Sequence, residues 1–156
     1  MTVVVRAPVP EDMAEIAEIH FRARRSYYRG HLPEEELAAW EADVRAHGYR
    51  LDRHLDRRWR CAEFDGVLVG FSLVEGNVLR QLQVDPAHWG RGVGHALHEE
   101  CLDLFRAAGV RTARLEVFAR NARARRFYAA HGWREVSNTE PTHLLLTREV
   151  AGAGES

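Results

Sequence analysis

The apolar positions of this chain change their period several times, and each change marks a new element. Val3–Arg6 reads as a short first strand. Pro10, Glu11 and Asp12 then open a helix that places Met13, Ile16, Ala17, Ile19 and His20 on or near one side. Acidic residues in its first turn suit the positive end of the helix dipole. The rhythm fades into an arginine- and tyrosine-rich stretch, residues 22–30. Pro33 with Glu34, Glu35 and Glu36 starts a second helix through Leu37, Trp40 and Val44, ending near Gly48. Residues 49–58 carry no clear period.

From residue 59 the pattern turns strand-like. Residues 59–64 and 67–74 predict a hairpin turning at Asp65-Gly66. A second turn at Glu75-Gly76-Asn77 leads into strand 78–84. A long helix follows, with Leu97, Cys101, Leu104, Phe105 and Ala108 at helical spacing and Gly109 as its stop. Then come a strand at 112–118, a short helix capped by Asn121 and ended by His131-Gly132, and two last strands at 133–136 and 143–147. The segment 78–118 is a parallel crossover, expected to be right-handed, whereas the preceding three strands meander antiparallel. This order predicts an α/β fold with a mixed sheet.

The junction between strand 78–84 and the long helix is the most informative segment. Its sequence VDPAHWGRGVGHAL, residues 84–97, places Gly90, Gly92 and Gly94 at a helix N-terminus. Glycines let the backbone approach a ligand closely, and the free N–H groups and dipole of the first turn attract anions. A ligand with a pyrophosphate is the first expectation; a plain tight turn is the alternative. The Walker loop is excluded, because His95 and Ala96 stand where it needs Lys then Ser or Thr. The dinucleotide fingerprint is weakened by the G-x-G-x-G spacing, although Glu116 on the next strand keeps it open.

Composition narrows the class. At 156 residues the chain suits one domain, able to bury roughly 70% of its unfolded surface. A net charge of -1 gives no bulk attraction to nucleic acid or membranes, so neither is an expected partner. All 22 fixed cations are arginine, which removes any lysine nucleophile. Cys61 and Cys101 sit in apolar segments and read as buried free thiols. No run approaches transmembrane length, the N-terminal MTVVV is too short for a signal peptide, and a cytoplasmic location is expected. The tail at 151–156 is expected to be disordered.

The element order, with LxVDPxxWGRGVGxAL and then LEVFxxNxxARRFYxxxGW, resembles the GCN5-related N-acetyltransferase (GNAT) superfamily. The resemblance spans most of the chain and is strongest over residues 78–136. Trp89 departs from the pattern, where Arg or Gln is common. The resemblance implies one N-acetyltransferase domain over residues 1–150, with a mixed, mostly antiparallel central sheet flanked by helices. Its parallel strands 78–84 and 112–118 would splay apart. It implies acetyl-CoA as cosubstrate. Gly90, Arg91, Gly92, Val93, Gly94 and His95 would hold the pyrophosphate, and Leu82, Gln83 and Val84 would pair with the pantetheine arm. The Val84 N–H would polarise the thioester carbonyl. Asn121 would contact the arm, and one or two of Arg120, Arg123, Arg125 and Arg126 would meet a further phosphate or form a solvated face. A homodimer is implied, with strand 143–147 as a candidate edge.

Transfer of an acetyl group to an amine needs a neutral amine and a proton for the departing thiolate. The resemblance assigns the proton to Tyr128, whose phenol is protonated at neutral pH; the alternative is a core aromatic. Glu116, in the triplet LEV, resembles the base of bacterial ribosomal-protein alanine N-acetyltransferases. A structural carboxylate paired with arginine is the competing reading, and a water relay would need no single base. His95 and His98 are read as surface histidines rather than a metal pair, and no metal is expected. Residues 22–60 are expected to select the acceptor, with Tyr27, Tyr28, His31 and Trp40 as candidate walls. Glu34–Glu36 would attract a cationic amine or simply obey the dipole rule. A primary amine on a small molecule or a protein is the expected acceptor. A non-catalytic acyl-CoA sensor and a nucleotide-binding βαβ protein are the alternatives from other classes.

Overall fold

The computed structural model describes residues 2–49 and 57–152, apart from the side chains at 138 and 139. From position 153 onward the tail expected to be disordered lies outside the described residues, as do positions 50–56 of the segment without a period. The strands are β1 (Val3–Arg6), β2 (Arg57–Phe64), β3 (Val67–Glu75), β4 (Val78–Val84), β5 (Thr112–Phe118), β6 (Arg134–Glu140) and β7 (His143–Glu149). The helices are α1 (Met13–Tyr28), α2 (Glu34–His47), α3 (Val93–Ala107) and α4 (Ala122–Ala130). Together the strands form a seven-stranded sheet in the order β1-β2-β3-β4-β5-β7-β6. Only β4 and β5 run parallel; the other neighbours are antiparallel.

Helices cover both faces. On one, Cys101, Phe105 and Leu102 of α3 pack with Leu115, Val117, Trp133 and Leu146. On the other, Ile16 and Ile19 of α1 meet Cys61 and Phe71. Coverage on both sides explains why β3 is buried through six consecutive residues instead of alternating. The sole described pairing between β4 and β5 is Val78 with Arg114, after which the strands part. A bulge starts the separation: Leu73 faces Gln81 and Val74 faces Leu79, leaving Arg80 as an extra residue in β4. Such an insertion bends its strand and raises its twist.

Three boundaries differ from the sequence reading. α1 continues through the arginine- and tyrosine-rich stretch to Tyr28, because Phe21 and Ala23 stay buried while Arg22, Arg25 and Tyr27 turn to other surroundings. Strand β6 is longer than residues 133–136 and reaches Glu140. Strand 143–147 is not an edge: β7 pairs with β5 on one side and β6 on the other. The continuous run Leu144-Leu145-Leu146 suits an interior strand, whereas Arg134, Glu135 and Ser137 suit the exposed edge that β6 forms.

Ion pairs fix the helices around the opening. Arg25 reaches Glu41 at 2.6 Å and Arg45 reaches Glu18 at 2.9 Å, joining α2 to α1. Arg22 binds Asp85 at 2.9 Å, which anchors α1 to the turn after β4. Among the described residues no helix is long and apolar enough to cross a membrane.

Candidate active site

The gap between β4 and β5 continues into a cavity of about 650 Å³. Its walls come from both splayed strands, the end of α1, the glycine turn, α4 and the start of β7. Of the residues singled out from sequence, Leu82, Gln83, Val84, Gly90, Gly92, Val93, Gly94, His95, Glu116, Asn121 and Tyr128 all line it. Arg91 does not; its guanidinium lies 5.2 Å from the centre of the Phe64 ring.

The glycine turn leaves the backbone at the start of α3 open. Asp85 accepts a hydrogen bond from the Ala87 N–H at 3.1 Å and holds the chain through a short 3-10 turn at Pro86–His88. Gly90 and Gly92 both take the left-handed backbone that other residues resist, at φ 79° and 80°. Gly92 caps α3 without any side-chain hydrogen bond, so the first N–H groups of the helix face the cavity uncapped. At Gly94 the reason is contact: an added Cβ would stand 3.2 Å from Phe127 of α4.

Backbone direction along β4 follows from one bond. The Asp85 N–H donates to Val69 O of β3 at 2.8 Å. Alternation along the strand therefore turns the N–H and C=O of Val84 and Leu82 towards the gap. Consistently, the Val84 carbonyl accepts a hydrogen bond from Trp89 Nε1 at 3.3 Å. The unusual Trp89 also carries the Arg123 guanidinium over its ring at 3.8 Å, forming a stacked pair at the mouth. Arg126 lines the cavity too, whereas Arg125 is tied to Glu135 at 2.7 Å. Asn121 accepts from the Ala124 N–H at 3.1 Å and caps α4, which leaves its amide nitrogen for a ligand.

The two candidate proton-handling groups lie on opposite faces of β5. Tyr128 is 8% exposed and belongs to the α3-side core beside Val117 and Trp133. Burial first, and then neighbouring Cys101 and Tyr27, push its phenol well above the usual tyrosine range. It therefore keeps its proton at neutral pH. Glu116 is one step out of phase with buried Leu115 and Val117 and points to the α1 side, exposed to the cavity. Among the described residues no arginine forms an ion pair with it.

The α1 side brings in Phe118 and His143, which the sequence reading passed over, beside the side chain of Gln83, which it named for the pantetheine arm. Gln83 donates to Gln81 Oε1 at 2.9 Å and lies 3.5 Å from the Tyr27 hydroxyl. Phe118 packs on Tyr28 with ring centres 4.7 Å apart, and His143 faces Phe118 across the β5–β7 ladder. Phe118 shares the face of Glu116 by strand alternation, a signal present in the sequence. His143 has no such signal, since its place depends on hairpin register. Tyr27 and Tyr28 line the cavity as expected. Trp40 instead packs against His20 and Phe21, and His31 packs on Phe118. Glu34 is taken up by Arg25 at 2.9 Å.

His98 is a correction. Expected at the surface, it is 1% exposed, on the inner side of α3 with Leu97 and Cys101. Its Nε2 accepts a hydrogen bond from Trp133 Nε1 at 2.9 Å, so that nitrogen is not available to a metal. Burial, helped by the nearby His131, pushes its pKa down to about 4. His95 turns to the cavity and meets His131 at 3.0 Å.

Comparisons with known proteins agree with this geometry. Residues 13–133 match the model of the "Acetyltransferase (GNAT) family". An uncharacterized N-acetyltransferase of Methanocaldococcus jannaschii is 26% identical over 145 residues, covering 86% of this chain and 62% of that protein. A mycothiol acetyltransferase of Beutenbergia cavernae is 46% identical over 56 residues, 36% of this chain and 19% of that protein. The chain thus spans less than two thirds of the length of these curated relatives. Among solved structures, the PaiA N-acetyltransferase of Thermoplasma acidophilum in complex with coenzyme A superimposes with a TM-score of 0.83 at 21% identity, covering 96% of this chain and 99% of that one. The ribosomal-protein-alanine N-acetyltransferase of Escherichia coli gives 0.68 at 21% identity, with 99% and 98% covered. At such identities the structures speak for the fold, and the family match carries the assignment over the dinucleotide reading. This chain belongs to the GNAT acetyltransferase family.

Proposed function

We propose that this protein is an acetyl-CoA-dependent N-acetyltransferase that acts on a primary amine by direct attack in a ternary complex. The observation that carries the reading is the splayed β4/β5 pair, with an uncapped helix N-terminus on one side and an unpaired carboxylate on the other. The residues present fit the cosubstrate: a cradle without a side-chain cap and a strand edge with free backbone groups both await a ligand. When bound, acetyl-CoA supplies an acyl thioester, whose carbonyl carbon is the electrophile.

The chain's own residues supply the rest. The N–H groups of Gly92, Val93, Gly94 and His95 bind the pyrophosphate, with Arg123 and Arg126 beside it. The backbone of Leu82 and Val84, with the Asn121 amide, holds the pantetheine arm. The Val84 N–H is aimed at the gap, where it donates to the acyl oxygen. Glu116, on the acceptor side, takes a proton from the arriving ammonium, directly or through water. Tyr128, on the cofactor side, gives its phenolic proton to the departing sulfur. An enzyme is favoured over a sensing module because Tyr128 and the unpaired Glu116 both front the cavity. The reading extends to a cytoplasmic homodimer, for which the β6 edge with exposed Val136 and the two buried free thiols are the support.

Release of free coenzyme A from acetyl-CoA, measured across amines, amino acids, polyamines, aminoglycosides and peptides, tests the proposal. Acceptor-dependent release is the expected result. Tight coenzyme A binding without release for any acceptor would leave only the sensor.

A further inference from the structure

The acceptor half of the cavity has a composition of its own. Tyr27 and Tyr28 end α1 with ring centres 4.7 Å apart, and Tyr28 lies at the same distance from Phe118. His143 completes the wall, 5.9 Å from Phe118, with its Nε2 3.4 Å from the Tyr28 hydroxyl. The aromatic groups thus come from α1, β5 and β7 and meet in one continuous surface. Glu116 stands two residues before Phe118 on the same strand face. Among the described residues that line the cavity it is the one carboxylate, whereas the arginines Arg80, Arg123 and Arg126 also line it.

That arrangement discriminates between amines. A polyamine or an aminoglycoside brings several ammonium groups, and Glu116 is the one carboxylate among the described residues that line the cavity. A single ammonium can be met by Glu116 and by the electron-rich ring faces beside it. Beyond the nitrogen, the tyrosine and phenylalanine rings offer area to a flat apolar arm, and ring–ring contacts add selectivity over an alkyl chain. We infer that the acceptor is a monoamine carried on an aromatic arm, held by Tyr27, Tyr28, Phe118 and His143 with its nitrogen at Glu116. This inference rests on the transferase reading of the same cavity.

The test separates binding from turnover. The full-length protein is saturated with coenzyme A, and 2-phenylethylamine, 2-cyclohexylethylamine, spermidine and glycinamide are titrated by calorimetry. Expected is a 2-phenylethylamine affinity about tenfold above each of the others. Tyr28→Leu should remove most of that preference while coenzyme A binding stays unchanged. Equal or tighter binding of spermidine or glycinamide overturns the inference, with no reliance on a variant. An undiminished 2-phenylethylamine preference in both Tyr28→Leu and Phe118→Leu also overturns it. Acetyl transfer is followed in parallel. Preferential acetylation of spermidine would overturn the acceptor class and keep the transferase. Selective binding of 2-phenylethylamine while a different amine is acetylated would overturn the inference and keep the transferase.

Discussion

The two sides of the splayed sheet are made of different material. On the α3 side the contacts offered to a ligand are mostly backbone: the amides that open α3 and the edge of β4. On the α1 side they are side chains, drawn from α1, β4, β5 and β7. A backbone site demands glycines and a cap at fixed spacing within one short segment. A side-chain site can be assembled from distant positions, none of which is constrained by its neighbours in sequence. One side is therefore suited to a ligand that stays the same across relatives, and the other to one that changes.

Removing the proton donor proposed on the α3 side should give the largest effect. Tyr128→Phe keeps the ring against Trp133 and Phe127 and deletes only the hydroxyl. Steady-state kinetics should show kcat lowered by about 10²–10⁴-fold with KM for acetyl-CoA little changed. An unchanged kcat would reduce this side to binding alone. Next in size is Glu116→Gln on the α1 side. We expect kcat/KM for the amine to fall by about 10²-fold. Protection against heat by coenzyme A should be the same as in the parent protein, because Glu116 stands on the opposite face from the cradle. An unchanged kcat/KM would mean that proton removal passes through water without Glu116.

The same contrast decides what could be read from the sequence. Gly90, Gly92 and Gly94 announced the cradle because their backbone conformation and close contacts leave few substitutes. Strand order and the parallel crossover followed from period and turn signals. The interior position of β7 is not legible, since closeness to the C-terminus says nothing about which side of β6 a hairpin folds to. For His98 polarity points to the surface, while its position beside Leu97 and Cys101 points to the inner side of α3, where it lies. The wall of Tyr28, Phe118 and His143 was only half visible: α1 and β5 could be located, but the register that sets His143 opposite Phe118 is a long-range property.

A smaller effect separates conformation from contact within the cradle. At Gly92 an added Cβ would meet nothing within 4 Å, so Gly92→Ala costs only the left-handed backbone, roughly 1–2 kcal/mol. At Gly94 the backbone is ordinary and the Cβ would press on Phe127 at 3.2 Å. Chemical denaturation should therefore show Gly92→Ala destabilised in the absence of ligand. Gly94→Ala should mainly weaken coenzyme A binding, by shifting Phe127 and α4. Equal losses of stability in the two variants would mean that conformation and contact cannot be separated here.

The smallest effect compares one buried histidine from each side. His98 on the α3 side is held near pKa 4, and His20 on the α1 side is pushed down to about 3 by burial and then by Arg24. His20 is enclosed by Trp40, Phe71 and Tyr49, whose hydroxyl is 2.9 Å from its Nδ1. Both are neutral in the folded protein, whereas an unfolded histidine takes up a proton below about pH 6.5. The unfolded state then binds more protons, so stability must fall as the pH drops from about 6.5 towards 4. Between about pH 7 and pH 6 each histidine should remove roughly 0.7 kcal/mol. Urea unfolding of His98→Gln and His20→Gln should each flatten this slope by about half of the two histidines' joint share. A slope lost entirely in one variant and untouched in the other would show that one side of the sheet alone sets the acid sensitivity of the fold.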